Sequence, residues 1–152
     1  MPAAGSLRNF SQSSVSEVSV HGRRLPLSPA LVRRVVEGVL REERRDAILS
    51  VTFLGRDAMR RMNAEHKSHD HPTDVLTFTL KGPPGQVVGD VYICPWVAQR
   101  EARERGIPLR QELIRLVVHG TLHALGRDHP VGPSRTRSAM WRRQERYVET
   151  LA

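Results

Sequence analysis

The chain has 152 residues, of which 39% are hydrophobic, 26% charged and only 5% aromatic, so it fits a single domain with a mostly aliphatic core. The single cysteine, Cys94, excludes a disulfide scaffold and fits a cytoplasmic protein, and the lack of a signal peptide or of an apolar run of about 18 residues argues against secretion and membrane spanning. The net charge of +8 comes almost entirely from arginine, since Lys67 and Lys81 are the two lysines, and it predicts either an RNA or DNA partner or an arginine-rich solvated surface of the kind that a GC-rich genome produces.

Hydrophobic periodicity and turn signals predict four strands and five helices after a flexible leader. The leader, 1–14, is rich in Ser, Gly and Ala and shows no sustained periodicity. The strands are predicted over 15–20, 47–54, 75–80 and 87–93. The helices are predicted over 29–43, 57–65, 97–105, 109–125 and 138–151.

Local signals also predict how these elements are arranged. Ser28 is a predicted N-cap, and Pro29 suits the first position of the helix that follows. The segment 81–85, rich in Gly and Pro, predicts a hairpin-like turn between the last two strands. The fold class predicted from this pattern is α+β, with one domain over 15–152, a mixed four-stranded sheet flanked by helices, and the strongly apolar helix 109–125 buried at its centre.

The most informative stretch is HGTLHALGRDH, which runs from His119 to His129. Histidines four residues apart on a helix lie about 40° apart around its axis, so the imidazoles of His119 and His123 can reach one cation. Gly126 can adopt the left-handed conformation that reverses the chain, which would bring His129 beside the pair. Three imidazoles and one open position are typical of a catalytic zinc site, whereas a lone histidine in an apolar helix is usually a core residue. Gly120 stands where the H-E-x-x-H proteases have their glutamate, which disfavours a protease.

Other polar residues are weaker candidates. The segment 66–74 carries three histidines in a predicted polar loop, where exposed side chains are more common than metal ligands. Thr73 and Asp74 precede a strand and predict a turn that is held by side-chain hydrogen bonds. Asp90 is either an orienting partner of the metal site or a strand-end cap, and Cys94 is predicted to be a small buried residue.

Three motifs resemble those of the YbeY family of bacterial ribosomal RNA maturation factors. The segment 119–129 is similar to the family's H-G-x-L-H-L-x-G-Y-D-H signature, 72–78 (PTDVLTF) resembles its P-T-D-V-L-S-F segment, and 89–93 (GDVYI) resembles its G-D-I-x-I strand. The motifs occur in the family's order and at its spacing. With the surrounding elements, the resemblance covers about residues 15–151.

The resemblance implies a metal-dependent endoribonuclease that acts on single-stranded RNA, in ribosomal RNA processing and in the assembly and quality control of the small ribosomal subunit. It implies one zinc ion per chain, bound by His119, His123 and His129. The family usually has an arginine implicated in activity four residues after the asparagine of this segment. Counted from Asn63, that position holds Lys67, which becomes the candidate catalytic cation.

Two alternative functions remain open, and the sequence does not identify a general base. One is a non-catalytic RNA-binding factor for ribosome assembly with a structural metal, and the other is a metallohydrolase of a small substrate, since a three-histidine site is generic. The chain also departs from the family where Arg127 replaces the tyrosine before Asp128, and where 132–135 replaces an acidic stretch. The sequence does not indicate an oligomeric state.

Overall fold

The computed structural model describes residues 16–80 and 82–152, so the predicted leader over 1–14 lies outside the described residues. Within them the chain forms four strands and five α-helices. The strands are β1 (Glu17–His21), β2 (Asp46–Phe53), β3 (Val75–Leu80) and β4 (Gln86–Ile93). The helices are α1 (Pro29–Glu43), α2 (Arg56–Lys67), α3 (Pro95–Arg105), α4 (Leu109–Ala124) and α5 (Ala139–Leu151), with a short 3₁₀ helix at Pro133–Arg137.

The strands form one mixed sheet in the order β1-β2-β4-β3. Strand β1 is parallel to β2, and β2 is parallel to β4, so the carboxyl ends of these three strands meet at the same edge. Strand β3 pairs with β4 in the antiparallel direction, as the predicted hairpin-like turn requires. It is the outermost strand at the end of the sheet opposite β1. The predicted α+β domain with a mixed four-stranded sheet is confirmed.

The two faces of the sheet bury different clusters. Successive residues of a strand point to opposite faces, and accordingly Val91 of β4 belongs to the main core while Tyr92 packs against a smaller one. The main core joins α1, α4 and α5 to the sheet, and the smaller one contains Met59 of α2 and Cys94, which is buried as predicted. Helix α2 therefore covers the face that α4 does not.

Helix α4 lies very close to the sheet because of one glycine. A Cβ atom at Gly120 would stand 2.4 Å from Cγ1 of Val91, a separation that real Cβ atoms do not reach. The glutamate that zinc proteases carry at this position could not be accommodated without moving the helix away from β4. Gly120 is thus explained by packing, and the close approach brings the end of α4 against the β3–β4 pair.

Most helix boundaries follow the predicted signals, and the differences are informative. Ser28 Oγ accepts a hydrogen bond from the Leu31 backbone N–H at 3.1 Å, which confirms the predicted N-cap of α1. Helix α2, predicted over 57–65, extends to Lys67, so this residue ends a helix and does not lie in the predicted loop. The following loop is tied to α2 by Asn63, whose Nδ2 donates to the His71 carbonyl at 2.8 Å. Helix α3 begins two residues earlier than predicted, at Pro95, because proline fits the first helical turn.

The segment between α4 and α5, for which no helix or strand was predicted, contains the 3₁₀ helix Pro133–Arg137. In the described part of the chain, no helix combines the length and the apolar character that crossing a membrane requires.

Candidate metal centre

Three histidines meet where α4 ends. His119 and His123 occupy the last two turns of α4, and His129 follows the turn at Gly126, whose φ of 91° lies in the region that favours glycine. The ring centroids are 4.6 Å apart for His119 and His123, 5.1 Å for His119 and His129, and 5.0 Å for His123 and His129. One ligand atom from each ring lies within 4.8 Å of the others. The reversal predicted at Gly126 therefore brings His129 to the pair.

The turn that carries His129 is fastened to α1. The Arg127 backbone N–H donates to the Leu122 carbonyl at 3.0 Å, and the Arg127 guanidinium donates to Oε1 of Glu43 at 2.5 Å. Burial raises the pKa of Glu43, whereas hydrogen bonds from Tyr147, Arg127 and Arg143 lower it. The hydrogen bonds together outweigh burial, so the pKa of Glu43 lies below its usual value. The arginine that replaces the family's tyrosine thus holds the turn in place through an ionised, buried carboxylate.

Hydrogen bonds fix the tautomers of two of the three rings. Nδ1 of His119 lies 2.6 Å from Oε1 of Gln144, and Nδ1 of His129 lies 2.9 Å from the Pro130 carbonyl oxygen. Both partners can only accept, so each Nδ1 carries a proton and donates it. Each Nε2 is left with a free lone pair, which is the arrangement that metal-binding histidines usually have.

Burial keeps the two helical histidines neutral. Burial is the largest cause of the low pKa of His119, which is about 4. The neighbouring His123 and His129 lower this pKa a little more, while Gln144 and Asp74 raise it. Burial is also the largest cause of the lowered pKa of His123, and the charge of His129 is the second largest. Neutral imidazole is the form that coordinates a cation. The donor set, its protonation and its hydrogen bonds therefore fit a divalent metal.

Gln144 is itself held by a buried network between α4 and α5. Its Nε2 donates to Oε2 of Glu145 at 3.0 Å, and Glu145 receives two hydrogen bonds from the Arg115 guanidinium, each of 2.8 Å. Arg115 also donates to Glu112 at 2.9 Å, and the Glu112 side chain is only 1% exposed. The sequence analysis missed this network, because its partners are separated by about thirty positions and no local pattern joins them.

The histidines form one wall of an open cleft of about 360 Å³. Strand β3 forms another wall, and Lys67, Asp74 and Arg135 contribute the charged groups. Lys67 is exposed, its Nζ lies 5.5 Å from the centroid of the Phe78 ring, and no carboxylate of the described residues forms an ion pair with it. The predicted cation is therefore brought to the same cleft as the histidines. Arg135, from the 3₁₀ helix, is a second cation that the sequence analysis did not identify.

Asp74 lines this cleft and directly precedes β3. Its Oδ1 accepts hydrogen bonds from the Val75 backbone N–H at 2.7 Å and from the Thr73 hydroxyl at 3.4 Å, so the predicted side-chain hydrogen bonds are present, although the segment forms a bend and not a turn. Glu101 of α3 is hydrogen-bonded to Asp74 and to Glu112, and burial, together with Asp74, raises the pKa of Glu101 to about 8. Glu101 is therefore protonated at neutral pH and donates to a neighbouring carboxylate. The position of Asp74 in the P-T-D motif was the signal that could have indicated its place in the site.

The weaker sequence candidates lie elsewhere. The three histidines of 66–74 are exposed, and none of them belongs to the histidine cluster in the described chain. Oδ1 of Asp90 accepts a hydrogen bond from the Ser50 hydroxyl at 2.5 Å and so links β4 to β2. Asp90 therefore neither orients a cluster histidine nor caps the end of a strand.

The chain is similar to known proteins over most of its length. The model of the family described as Endoribonuclease YbeY matches residues 23–152. An Endoribonuclease YbeY of Thermotoga petrophila is 34% identical over 120 residues, which are 79% of this chain and 78% of that protein. One from Burkholderia lata is 45% identical over 84 residues, 55% of this chain and 49% of that protein. A solution structure of a Thermotoga maritima protein matches with a TM-score of 0.62 and 28% identity over 89% of each chain.

The matched range of the family contains everything from α1 to α5, and with it every residue that lines the histidine cleft. Because the match covers both the fold and the cleft, the chain belongs to the YbeY endoribonuclease family.

Proposed function

We propose that the protein is a metal-dependent endoribonuclease that hydrolyses single-stranded RNA. The observation that carries this proposal is the convergence of three imidazoles on an open cleft that also holds two cations, Lys67 and Arg135. A structural zinc site is normally closed by four protein ligands, whereas three ligands beside a cleft leave a position for substrate. The relatives from Thermotoga and Burkholderia, which carry the name endoribonuclease, support the same class of reaction.

We further propose that His119, His123 and His129 bind one zinc ion per chain. For His119 and His129 the ligand atom is Nε2, because Nδ1 is used in a hydrogen bond. Imidazole binds zinc and several other divalent metals. We choose zinc because three histidine ligands and one open position are a common arrangement in catalytic zinc sites. When bound, the ion supplies Lewis-acid stabilisation of a phosphoryl oxygen and activates water at neutral pH.

The cations of the cleft act on the phosphate. Negative charge accumulates on the phosphoryl oxygens in the transition state, and cations that are already in place stabilise it most there. Lys67 supplies a point charge from the end of α2, while Arg135 can supply a two-pronged contact from the 3₁₀ helix. We assign to Lys67 the role that the family's arginine has.

Asp74 is the one carboxylate among the described residues that line this cleft. In hydrolysis, water forms a bond to phosphorus, the bond between phosphorus and the leaving ribose oxygen breaks, and a proton leaves the water. We assign the acceptance of that proton to Asp74. Glu101 of α3 supports this assignment, because its hydrogen bond to Asp74 holds that carboxyl group in one orientation beside the cleft.

The biological setting is also part of the proposal. The resemblance to ribosomal RNA maturation factors supports ribosomal RNA as the substrate, with a role in assembly and quality control of the small ribosomal subunit. The cytoplasm is the proposed compartment, because bacterial ribosomes are assembled there. The proposed catalytic domain is 15–152.

The decisive experiment combines metal analysis with cleavage. The zinc content of the purified protein and the cleavage of a single-stranded RNA are measured with and without chelator, and for His123→Ala. We expect the variant to lose most of its zinc, because two ligands hold the ion poorly, and to lose cleavage with it. His21→Ala is the matched control, since His21 is exposed at the end of β1 and bonds only Ser19.

Two outcomes would contradict the proposal. Full zinc occupancy in His123→Ala would remove the assigned ligand set. A folded, zinc-loaded protein that binds RNA without cutting it would favour the alternative of a non-catalytic assembly factor with a structural metal.

A further inference from the structure

A second, larger cavity lies away from the histidines. It has a volume of about 650 Å³ and is lined by Arg23, Arg24, Phe53, Ala58 and Trp96, among other residues, and it shares no lining residue with the histidine cleft. It lies where β1, β2 and β4 end, between the first residues of α2 and those of α3. We call it the Trp96 cleft. Crevices beyond the carboxyl ends of parallel strands are common ligand sites in α/β sheets.

Trp96 is exposed in this cleft and is surrounded by arginine. Its side chain is 40% exposed, which is unusual for so large an aromatic residue. The guanidinium carbons of Arg56 and Arg100 each lie 5.1 Å from its ring centroid. A stacked guanidinium keeps its N–H groups directed outward in its own plane, where they can bind an anion.

Most of this positive charge is not neutralised within the protein. Arg23, Arg24 and Arg100 form no ion pair with a carboxylate of the described chain, and Arg56 has only the exposed Asp57, at 3.4 Å. An exposed pair at that distance contributes little. The cleft therefore combines a partly exposed aromatic ring with several available guanidinium groups.

Arg23 and Arg24 follow a glycine that packs against the end of the sheet. Gly22 has a φ of 154°, which residues other than glycine rarely adopt, and a Cβ atom there would lie 3.1 Å from the Phe53 carbonyl oxygen, so glycine favours this close approach to the end of β2. Arg23 and Arg24 follow directly. The close approach holds the backbone of both arginines, which line the cleft, against the end of β2.

Helix α2 connects this cleft to the histidine cleft. Arg56 is its first residue and Lys67 its last, so they lie about 17 Å apart along the axis. Successive helical residues are rotated by about 100°, which places Arg56, Arg60 and Lys67 within about 40° of one another. Arg60 is 3.6 Å from Asp70, but both side chains are exposed, so the pair is weak. A stripe of three cations thus runs from one cleft to the other.

We propose that the Trp96 cleft binds a second segment of the single-stranded RNA that is cut at the histidine cleft, with a base stacked on Trp96 and phosphates held by Arg23, Arg24 and Arg100. This inference rests on the proposed function, because it takes the same RNA as its ligand. Aromatic stacking combined with arginine is how proteins bind single strands without reading their sequence. At about 3.4 Å per stacked nucleotide, the length of α2 corresponds to at least about five nucleotides.

The test measures binding by the zinc-loaded protein of fluorescently labelled oligothymidylate, which has the bases and phosphates of a single strand but is not a ribonuclease substrate. Strands of 3 and 12 nucleotides are compared by fluorescence anisotropy. We expect Trp96→Ala to weaken binding of the longer strand about tenfold or more and to leave the shorter one unchanged, because only the longer one spans both clefts. Trp96→Phe, which keeps an aromatic face, is expected to restore most of the affinity.

A charge-matched pair of variants separates the cleft from general attraction to the basic surface. Arg23→Ser with Arg24→Ser is expected to reduce binding of the longer strand, whereas Arg33→Ser with Arg34→Ser, which removes the same charge from the exposed side of α1, is expected to change it much less. Equal losses for the two double variants would overturn the inference. So would unchanged binding by both Trp96→Ala and the Arg23 and Arg24 variant.

The same variants identify a different ligand if there is one. Binding of an oligoglutamate peptide that depends on Trp96, with no such dependence for the oligonucleotide, would assign the cleft to an acidic protein and overturn the RNA assignment. Failure of the zinc-loaded parent protein to cut RNA would contradict the proposed function, and it would be recognised separately, because the oligothymidylate measurement does not depend on cleavage.

Discussion

The two clefts at the ends of α2 differ in how their polar side chains are held. In the histidine cleft, His119 is bonded to Gln144, and Gln144 is fixed in turn by Glu145 and Arg115. In the Trp96 cleft, the arginines are exposed, and Arg100 is held only by stacking. Side chains that are held by a chain of hydrogen bonds keep reacting groups in one geometry, whereas exposed guanidinium groups adapt to a flexible polymer.

This difference separates two tasks that a nuclease must perform. Chemistry on one phosphate requires groups that do not have to move as charge develops. Holding a long strand requires many weak contacts that tolerate different sequences. We propose the histidine cleft for the first task and the Trp96 cleft for the second, and the following predictions test how much the hydrogen-bonded support of the histidines contributes.

The largest effect is expected at Lys67, which is exposed and lines the same cleft as the histidines. Lys67→Ala should lower the single-turnover rate of RNA cleavage by about 100-fold, because a cation near the phosphoryl oxygens is lost. Lys67→Arg should retain or raise the rate. Zinc content and the melting temperature should not change, since the side chain is exposed.

Arg61→Ala is the control for this measurement, because it removes an exposed cation from another side of the same helix. If Lys67→Ala cuts RNA as fast as the parent protein, Lys67 is an ordinary surface residue, and Arg135 becomes the cation of the cleft.

The next effect concerns the hydrogen bonds that support the proposed metal ligands. Gln144→Leu removes the acceptor for Nδ1 of His119, so the ring is no longer held in one tautomer and orientation. We expect zinc affinity to fall by about 10- to 100-fold, measured by competition with a chelator of known affinity. Gln99→Leu, at an exposed position of α3, is the matched control. Unchanged zinc affinity in Gln144→Leu would show that the ligands need no such support.

The smallest effect is on the pH dependence of stability, through Glu101. In the folded protein its pKa is raised to about 8 from a usual value of 4.5, so between these values the folded state binds a proton that the unfolded state has released. The contribution of Glu101 to the free energy of unfolding therefore falls as pH rises through this window. Denaturant titrations at pH 5 and pH 8 should show a smaller fall for Glu101→Gln.

Glu104→Gln, exposed on the same helix, serves as the reference for that titration. An equal fall in Glu101→Gln and in the parent protein would mean that Glu101 is not the group that holds the proton beside Asp74.

The helices and strands were largely predictable because their signals are local. Ser28 and Pro29 mark the start of α1, since a cap and a fixed φ act on the next three residues alone. The extension of α2 to Lys67 was missed because no apolar residue continues the pattern there. Its last turn is followed by Ser68 in a left-handed conformation, and the loop is held by Asn63, a contact that spans eight residues.

The sequence by itself determined the chemistry of the proposed metal site. His119 and His123 must share a helix face, and Gly126 must allow a reversal, because both facts depend only on backbone geometry over a few residues. The motif resemblance then identified the family and pointed to Lys67.

Only the tertiary structure decided what surrounds those residues. Gln144, Asp74 and Arg135 reach the site from three different elements, and Arg23, Arg24 and Trp96 meet at the ends of three separate segments. Such contacts depend on how helices pack on the sheet, and that packing results from burial of the whole core, which no short pattern encodes. Spacing along the chain can therefore indicate which atoms bind a metal, but the packed fold decides which groups orient them and where a long substrate is held.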